Sequence, residues 1–229
     1  MDYILQGFAE AFRLLFSFDS GIYAIIFLTI YITFMSTIIS TIIALPLGIL
    51  IGLKDFKLKK AIIRLLYTLM SMPPVIAGLF VFLILSRRGP LGQLELLFTP
   101  TAMIVAQITL VTPIIMGIVY NSTRDKGERI RQLAYTMGAD RRQALSLLIF
   151  EMRADMLAAI VSGFGRAISE VGAVMLVGGN IKGHTRVMTT SIAMLQSMGD
   201  YSQAIALGLV LLLISFVINS ILYNSQQVN

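Results

Sequence analysis

From Ser20 to Leu53 the chain has no Asp, Glu, Lys, Arg or His. That apolar run exceeds the roughly 20 residues needed to cross a bilayer, so it predicts a tilted or kinked membrane span. Pro46 supplies a kink point, because proline removes a backbone donor inside a helix. After the basic stretch KDFKLKK, a second span is expected over residues 61–85, interrupted by MSMPP at Met70 to Pro74. A third is expected over 100–120 with Pro113 inside it, a fourth over 155–177, and a fifth over 203–223. Residues 3–18 differ. Ile4, Leu5, Phe8, Ala11, Phe12, Leu15 and Phe16 share one helical face, and Asp2, Gln6, Glu10, Arg13 and Ser17 the other, so this segment is expected to lie as a helix in the membrane interface. The fold class expected is all-α and polytopic: about five transmembrane helices in one transmembrane domain over residues 1–229.

Composition agrees with that pattern and narrows the chemistry. The 229 residues are 57% hydrophobic and 13% charged, with a mean hydropathy of +0.84. Cys and Trp are absent and His184 is the one histidine. Disulfides, thiolate metal sites and Cys or His nucleophiles therefore have almost no raw material. No catalytic residue and no metal ligand is expected, and the chain is not expected to be an enzyme. The net charge of +6 does not argue for nucleic acid, because the cations sit in short runs between apolar stretches. Residues 54–64 hold five Lys or Arg and residues 121–153 seven, against five formed by Arg13, Arg87, Arg88, Lys182 and Arg186. Positively charged loops stay in the cytoplasm, which places the N-terminus outside and the C-terminus inside. With acidic residues outnumbering Arg13 near the N-terminus, a cleaved signal peptide is not expected.

Residues 121–153 are then a large cytoplasmic segment. Ile130, Leu133, Ala134 and Met137, followed by Ala144, Leu147 and Leu148, recur at helical spacing. Two short amphipathic helices are expected, the first ended by Gly138 and the second capped by Asp140.

This segment resembles the cytoplasmic signature of permease subunits of ATP-binding-cassette importers, Glu-Ala-Ala, three residues, Gly, nine residues, Ile, one residue, Leu-Pro. Gln132-Leu133-Ala134, Gly138 and Leu148-Ile149-Phe150-Glu151 stand in its place, with Gln132 for the usual Glu and Glu151 where Pro is usual. LPLGILIG, MSMPPVIAGLFVFLILSRRGPLG, GFGRAISEVGAVMLVGGNI and GHTRVMTT resemble the oxyanion branch of these permeases, and among them the tungstate permeases. The resemblance implies a type I importer permease in a prokaryotic cytoplasmic membrane. It further implies a homodimer, two cytoplasmic ATPase subunits that carry the ATP and Mg, and an extracytoplasmic oxyanion-binding protein. No cofactor would be bound by this chain. The coupling segment falls on Gln132, Ala134, Met137, Gly138, Ala139, Asp140 and Arg141, with Ala134, Met137 and Ala139 expected to pack into a partner's groove. A loop lying on anionic headgroups is the other reading of the same residues.

Several motifs remain to be weighed. GGNIKGHT, Gly178 to Thr185, has the glycine spacing of a phosphate-cradling loop, but His184 replaces its lysine. It is read as a turn or re-entrant segment at the outer mouth. Thr29, Thr33, Ser36 or Thr37, and Ser40 form a hydroxyl stripe that packs against another helix or lines an anion path. Arg166 and Glu170, four apart in the fourth span, can pair and so lower the cost of charge in hydrocarbon. The small residues Ala158, Ser162, Gly165, Ser169, Gly172 and Ala173 would let a helix approach beside them. The candidate translocation path or gate comprises Pro73, Pro74, Thr112, Pro113, Arg166, Ser169 and Glu170. The pair is either part of a gate for a dianion or a clasp between spans. A secondary transporter or ion channel using the pair as an ion or proton site, and a scaffold without transport, are the alternative classes.

Overall fold

The computed structural model describes residues 6–10, 13 and 20–227, with side chains up to 220. Helix α1 spans Ser20–Leu53 with Pro46 inside it. Helices α2 (Lys59–Met70) and α3 (Pro74–Leu85) meet at 103°. The break is dictated locally, because each proline disfavours helix in the residue before it while Pro74 suits the first turn of α3. A single turn of 3₁₀ helix, Gly92–Leu94, leads to α4, Pro100–Thr136. Then come α5 (Arg141–Glu151), α6 (Arg153–Ile168), α7 (Gly172–Gly178), α8 (Met188–Ser197) and α9 (Tyr201–Gln227). No strand occurs among the described residues. Three helices are long and apolar enough to cross a membrane, and the count reaches five if each bent pair is one span.

Helix α4 is the axis of the fold. It runs parallel to α1, as Ser36 meets Gln107, Ser40 meets Thr112 and Gly52 lies against Thr123. It runs antiparallel to α6, since Ala167 meets Gln107 and Met152 meets Thr123. One end of the molecule carries the Gly138 turn and the loop of residues 54–58. At the far end Phe98 N–H donates to the Val177 carbonyl at 2.8 Å. Apolar side chains form two cores along this axis. Ile32, Val81, Met103, Val174 and Val177 pack at the far end, and Ala44, Val119, Ile115, Leu148 and Met152 toward the Gly138 end. Phe27, Ile42, Leu212 and Phe216 point outward, as residues facing lipid must.

Three expectations need correction. The third span does not stop at Tyr120, because α4 continues to Thr136. The first amphipathic helix expected before Gly138 is therefore the unbroken continuation of the third span. Hydropathy marks where lipid ends, whereas the polar continuation has no proline and keeps Glu128 paired with Arg131 and Gln132 along one face. The fourth span is broken between Ile168 and Gly172 with a bend of 56°. After the turn at 179–186, α8 forms a helix that the hydropathy pattern did not indicate, with Thr190 Oγ1 accepting from the Val187 N–H at 3.2 Å. Most of the interfacial helix expected over 3–18 lies outside the described residues. Within it, residues 6–10 are helical, Gly7 is buried against Ile205, and Gln6 Oε1 accepts from Ser202 Oγ at 3.3 Å.

Candidate translocation site and coupling hairpin

The break between α6 and α7 is held by side chains. A helix end leaves its last carbonyls without backbone partners, and at membrane depth no water is guaranteed to take them. Here Ser169 Oγ donates to the Gly165 carbonyl at 2.9 Å, and Gln107 Nε2 donates to the Ala167 carbonyl at 3.0 Å. Thr189 Oγ1 donates to the Glu170 carbonyl at 2.9 Å. The Glu170 carboxylate is used twice. Its Oε2 accepts from Arg166 Nη1 at 2.7 Å, and its Oε1 accepts from the Ala173 N–H at 2.9 Å, capping α7. The side chain of Glu170 is 2% exposed and that of Arg166 is 30% exposed. The anion is thus locked inside the chain, while the cation reaches its surface.

Gln107 is the residue the sequence reading passed over. Its Oε1 accepts from Ser36 Oγ at 2.6 Å, so one buried amide ties α1, α4 and the end of α6 together. The signal was available: it is a lone amide in the apolar run AMIVAQITLV. Gln107, Glu170, Thr29, Thr33 and Thr189 border a cavity of about 10 Å³, room for roughly one water molecule. These groups make a polar layer between the two apolar cores. The hydroxyl stripe of α1 belongs to it. Thr29, Thr33, Ser36, Thr37 and Ser40 are all buried, and Thr29 Oγ1 accepts from the Met188 N–H at 2.9 Å. The stripe packs helices together within this chain.

The candidate path residues fall into two groups. Pro73 and Pro74 form the α2–α3 elbow, and the first turn of α3 lies on the first turn of α7. A Cβ on Gly172 would stand 3.1 Å from Val75, and one on Gly78 would stand 2.6 Å from Ala173 Cα. The two helix breaks, with Arg166, Ser169 and Glu170, are therefore neighbours. Thr112 and Pro113 sit further along α4. Thr112 Oγ1 donates to Ser40 Oγ at 3.1 Å, and Pro113 is buried inside the bundle. Of the small residues, Gly172 and Ala173 are covered by α3, whereas Ala158, Ser162 and Ser169 are exposed and a Cβ on Gly165 would meet nothing within 4 Å. An uncovered face of small residues thus lies on the same helix as Arg166.

At the opposite end of α4 the chain turns back. Gly138 has φ +82, a conformation that costs glycine little, and Ala139 N–H donates to the Ala134 carbonyl at 3.0 Å. Asp140 Oδ1 accepts from the Arg142 and Gln143 N–H groups at 2.7 and 2.8 Å, and Gln143 Oε1 accepts from the Asp140 N–H at 2.8 Å. The sequence predicts the cap at Asp140, and Gln143 makes it reciprocal. Ala134 is buried inside the hairpin, so the expectation that it enters a partner's groove is corrected: small size is needed there for internal packing. Ala139 is half-buried, and Gln132 and Arg141 are exposed. The outward apolar surface is made by Met137, 78% exposed, and Leu133, 59% exposed. Lys126 Nζ pairs with Asp155 Oδ2 at 2.7 Å and ties the outer part of α4 to α6.

A chain of bent and straight apolar helices, with a rigid hairpin at one end and a charged helix break at its centre, has the architecture of a multi-pass membrane transport subunit. Residues 44–228 match the family of binding-protein-dependent transport system inner membrane components, and the chain belongs to that family. It is 53% identical to the tungstate uptake system permease protein TupB of Peptoclostridium acidaminophilum, across 99% of this chain and 100% of that one. It is 35% identical to the protein of the same name from Campylobacter jejuni, across 99% and 95%. To the molybdenum transport system permease protein ModB of Azotobacter vinelandii it is 27% identical, across 75% and 79%. Family and fold accord with a membrane subunit that is not itself catalytic.

Proposed function

We propose that this chain is the membrane subunit of an ATP-driven importer of a tetrahedral oxyanion, with tungstate as the first substrate and molybdate or sulfate next. The names of its relatives support the substrate class. The observation that carries the mechanism is the continuity of α4 from the exposed hairpin to Gln107, which holds the α6–α7 break directly. Two copies assemble, and the uncovered face of Ala158, Ser162 and Ser169 with Arg166 adjoins the path between them. The hairpin end faces the cytoplasm, in keeping with its Lys and Arg excess, and the N-terminus lies outside. Two ATPase subunits, which carry ATP and Mg, seat on the hairpins through Met137 and Leu133. An extracytoplasmic binding protein delivers the anion to the far end. ATP-driven closure moves the hairpins, and α4 transmits that motion to the paired breaks at Pro73–Pro74 and Ser169–Val171. Arg166 attracts the dianion as the path opens, and Glu170 restrains it so that the ion is passed on.

The test is tungstate uptake by proteoliposomes holding this chain, its ATPase and its binding protein, with ATP inside. Met137→Glu is expected to abolish ATPase co-purification and uptake while leaving insertion intact. Uptake without any ATPase would instead identify a secondary carrier that uses the Arg166–Glu170 pair.

A further inference from the structure

The turn between α7 and α8 is built like a binding loop. Gly179, Asn180 and Gly183 have φ of +71, +51 and +76. The N–H groups of His184, Thr185 and Arg186 all converge on the Ile181 carbonyl, at 3.1, 3.0 and 3.0 Å. Thr185 is fully buried beneath the turn, where its Oγ1 donates to the Gly178 carbonyl and accepts from the Ile181 N–H. Thr190 Oγ1 donates to Asn180 Oδ1 at 2.9 Å and fixes the other side. Such a loop fixes its backbone without help from a ligand.

Those side chains are Lys182, His184 and Arg186, and together with Gln203 and the first turns of α1 they line a cavity of about 550 Å³. Among the described residues no carboxylate lines it. Arg186 Nη2 donates to the Asn180 carbonyl at 3.3 Å, but its buried Nε has no partner among the described residues. A buried donor left unmet is costly, and the charges of Arg186 and of Lys182, which lines the same cavity, favour a divalent anion. The side chains from α1 that line it are apolar, among them Ile25, Phe27 and Leu28, so the cations are the charged groups of the described lining.

We infer that this far-end cavity is a binding site for a tetrahedral oxyanion, held by Lys182 and Arg186 and separate from the Arg166–Glu170 break. The inference rests on the proposed function in one respect: the free ion is the transported substrate on arrival. A lipid headgroup phosphate offers the same chemistry and is the other source.

The experiment uses the full chain in nanodiscs of phosphatidylcholine, alone or with phosphatidylglycerol. Tungstate binding is read by equilibrium dialysis with the radioactive ion, and retained lipid by native mass spectrometry. For Lys182→Gln with Arg186→Gln, tungstate binding is expected to weaken at least tenfold. Arg186→Lys, which keeps a charge and a donor for the Asn180 carbonyl, is expected to lose no more than a fewfold. Lys182→Gln alone, at an exposed position, reports on the site without touching the turn and is expected to weaken binding severalfold. Lys57→Gln, an exposed cation at the opposite end of the chain, should leave this binding unchanged. Loss of phosphatidylglycerol retention in the double variant, with no tungstate bound by the parent, would keep the oxyanion site and assign its occupant to lipid, removing its link to transport. Failure of tungstate uptake by the assembled transporter, with tungstate binding intact and sensitive to these variants, would remove the proposed function and leave the site. Binding of both ligands unaffected by all the Lys182 and Arg186 variants, or of neither ligand by the parent, overturns the inference.

Discussion

Replacing Arg166 by Met leaves the Glu170 carboxylate where it is, 2% exposed and still accepting from the Ala173 N–H at 2.9 Å, but without its counter-ion. Breaking a fully buried pair by removing one partner costs about 3–5 kcal/mol. Arg166 keeps 30% of its side chain open, which places this pair near the lower figure, about 3 kcal/mol. For a chain of this size that is a fall in melting temperature of roughly 6–12 °C. Glu170→Gln is milder, about 1–2 kcal/mol, because the amide oxygen can still cap α7 and the stranded cation has access to solvent. In the double variant Arg166→Met, Glu170→Gln no buried charge remains, the cap is retained, and the Thr189 bond to the Glu170 carbonyl is untouched because it is made to the backbone. Its stability is therefore expected to return to within about 1 kcal/mol of the parent, a strongly non-additive cycle. Uptake is not expected to return, because the cation proposed to attract the anion is gone. Thermal unfolding in nanodiscs and tungstate uptake in proteoliposomes read the two quantities separately. Near-normal uptake by the double variant would reduce the pair to a clasp, and an Arg166→Met protein as stable as the parent would refute the account of the break itself.

Other expectations follow from the same contacts. Gly78→Ala would place a Cβ 2.6 Å from Ala173 Cα with backbone on both sides, and should destabilise by about 1–3 kcal/mol; Gly208→Ala, where a Cβ meets nothing within 4 Å, should be neutral or slightly stabilising by the same thermal assay. Gln107→Leu removes one partner each from the Ala167 carbonyl and the Ser36 hydroxyl, which keep the Glu170 N–H and the Thr33 carbonyl, and should cost about 1 kcal/mol; unchanged melting would remove Gln107 from the polar layer. Cysteines placed one at a time at Lys57, Arg88 and Lys182 of this cysteine-free chain should be labelled by an impermeant thiol reagent in spheroplasts at 88 and 182 but not at 57; the opposite pattern inverts the orientation.

The apolar lengths were legible because a bilayer imposes them: the runs at 20–53, 100–120 and 203–223 lie inside α1, α4 and α9. The hairpin was legible too, since Gly138 and Asp140 carry their conformational roles in their chemistry. The Arg166–Glu170 pair followed from spacing alone. The angles at the breaks did not, because 103° and 56° are set by how α3 and α7 pack on each other through Gly78 and Gly172, which no local pattern encodes. The length of α4 was hidden by the change from apolar to polar residues at Asn121, although the backbone has no reason to stop there. Ala134 was misplaced for a related reason. A small residue in an amphipathic turn fits an internal contact and a partner's groove equally well, and only the return of α5 decides between them.

The break between α6 and α7 also explains how a membrane helix can be bent and still be fit to move. In an unbroken helix, changing the direction of the chain means opening backbone hydrogen bonds in hydrocarbon, where each unmet group is expensive. Here the carbonyls at the break are met by Ser169, Gln107 and Thr189, and the first free N–H of α7 by Glu170. Side chains rotate about single bonds, so each can follow its partner through a change of angle or exchange it for a neighbour or for water in the adjoining cavity. The two partners of widest reach come from α4 and from the start of α8, so the bend is sensed on both sides. In the proposed mechanism a push delivered at Met137 would travel along α4 and act at Gln107 on the Ala167 carbonyl, to which Gln107 donates. The charged pair would then respond as a unit: Glu170 bonds both Arg166 and the Ala173 N–H, so a change in the angle between α6 and α7 would make it follow one of them, and releasing Arg166 would free a cation toward the uncovered face.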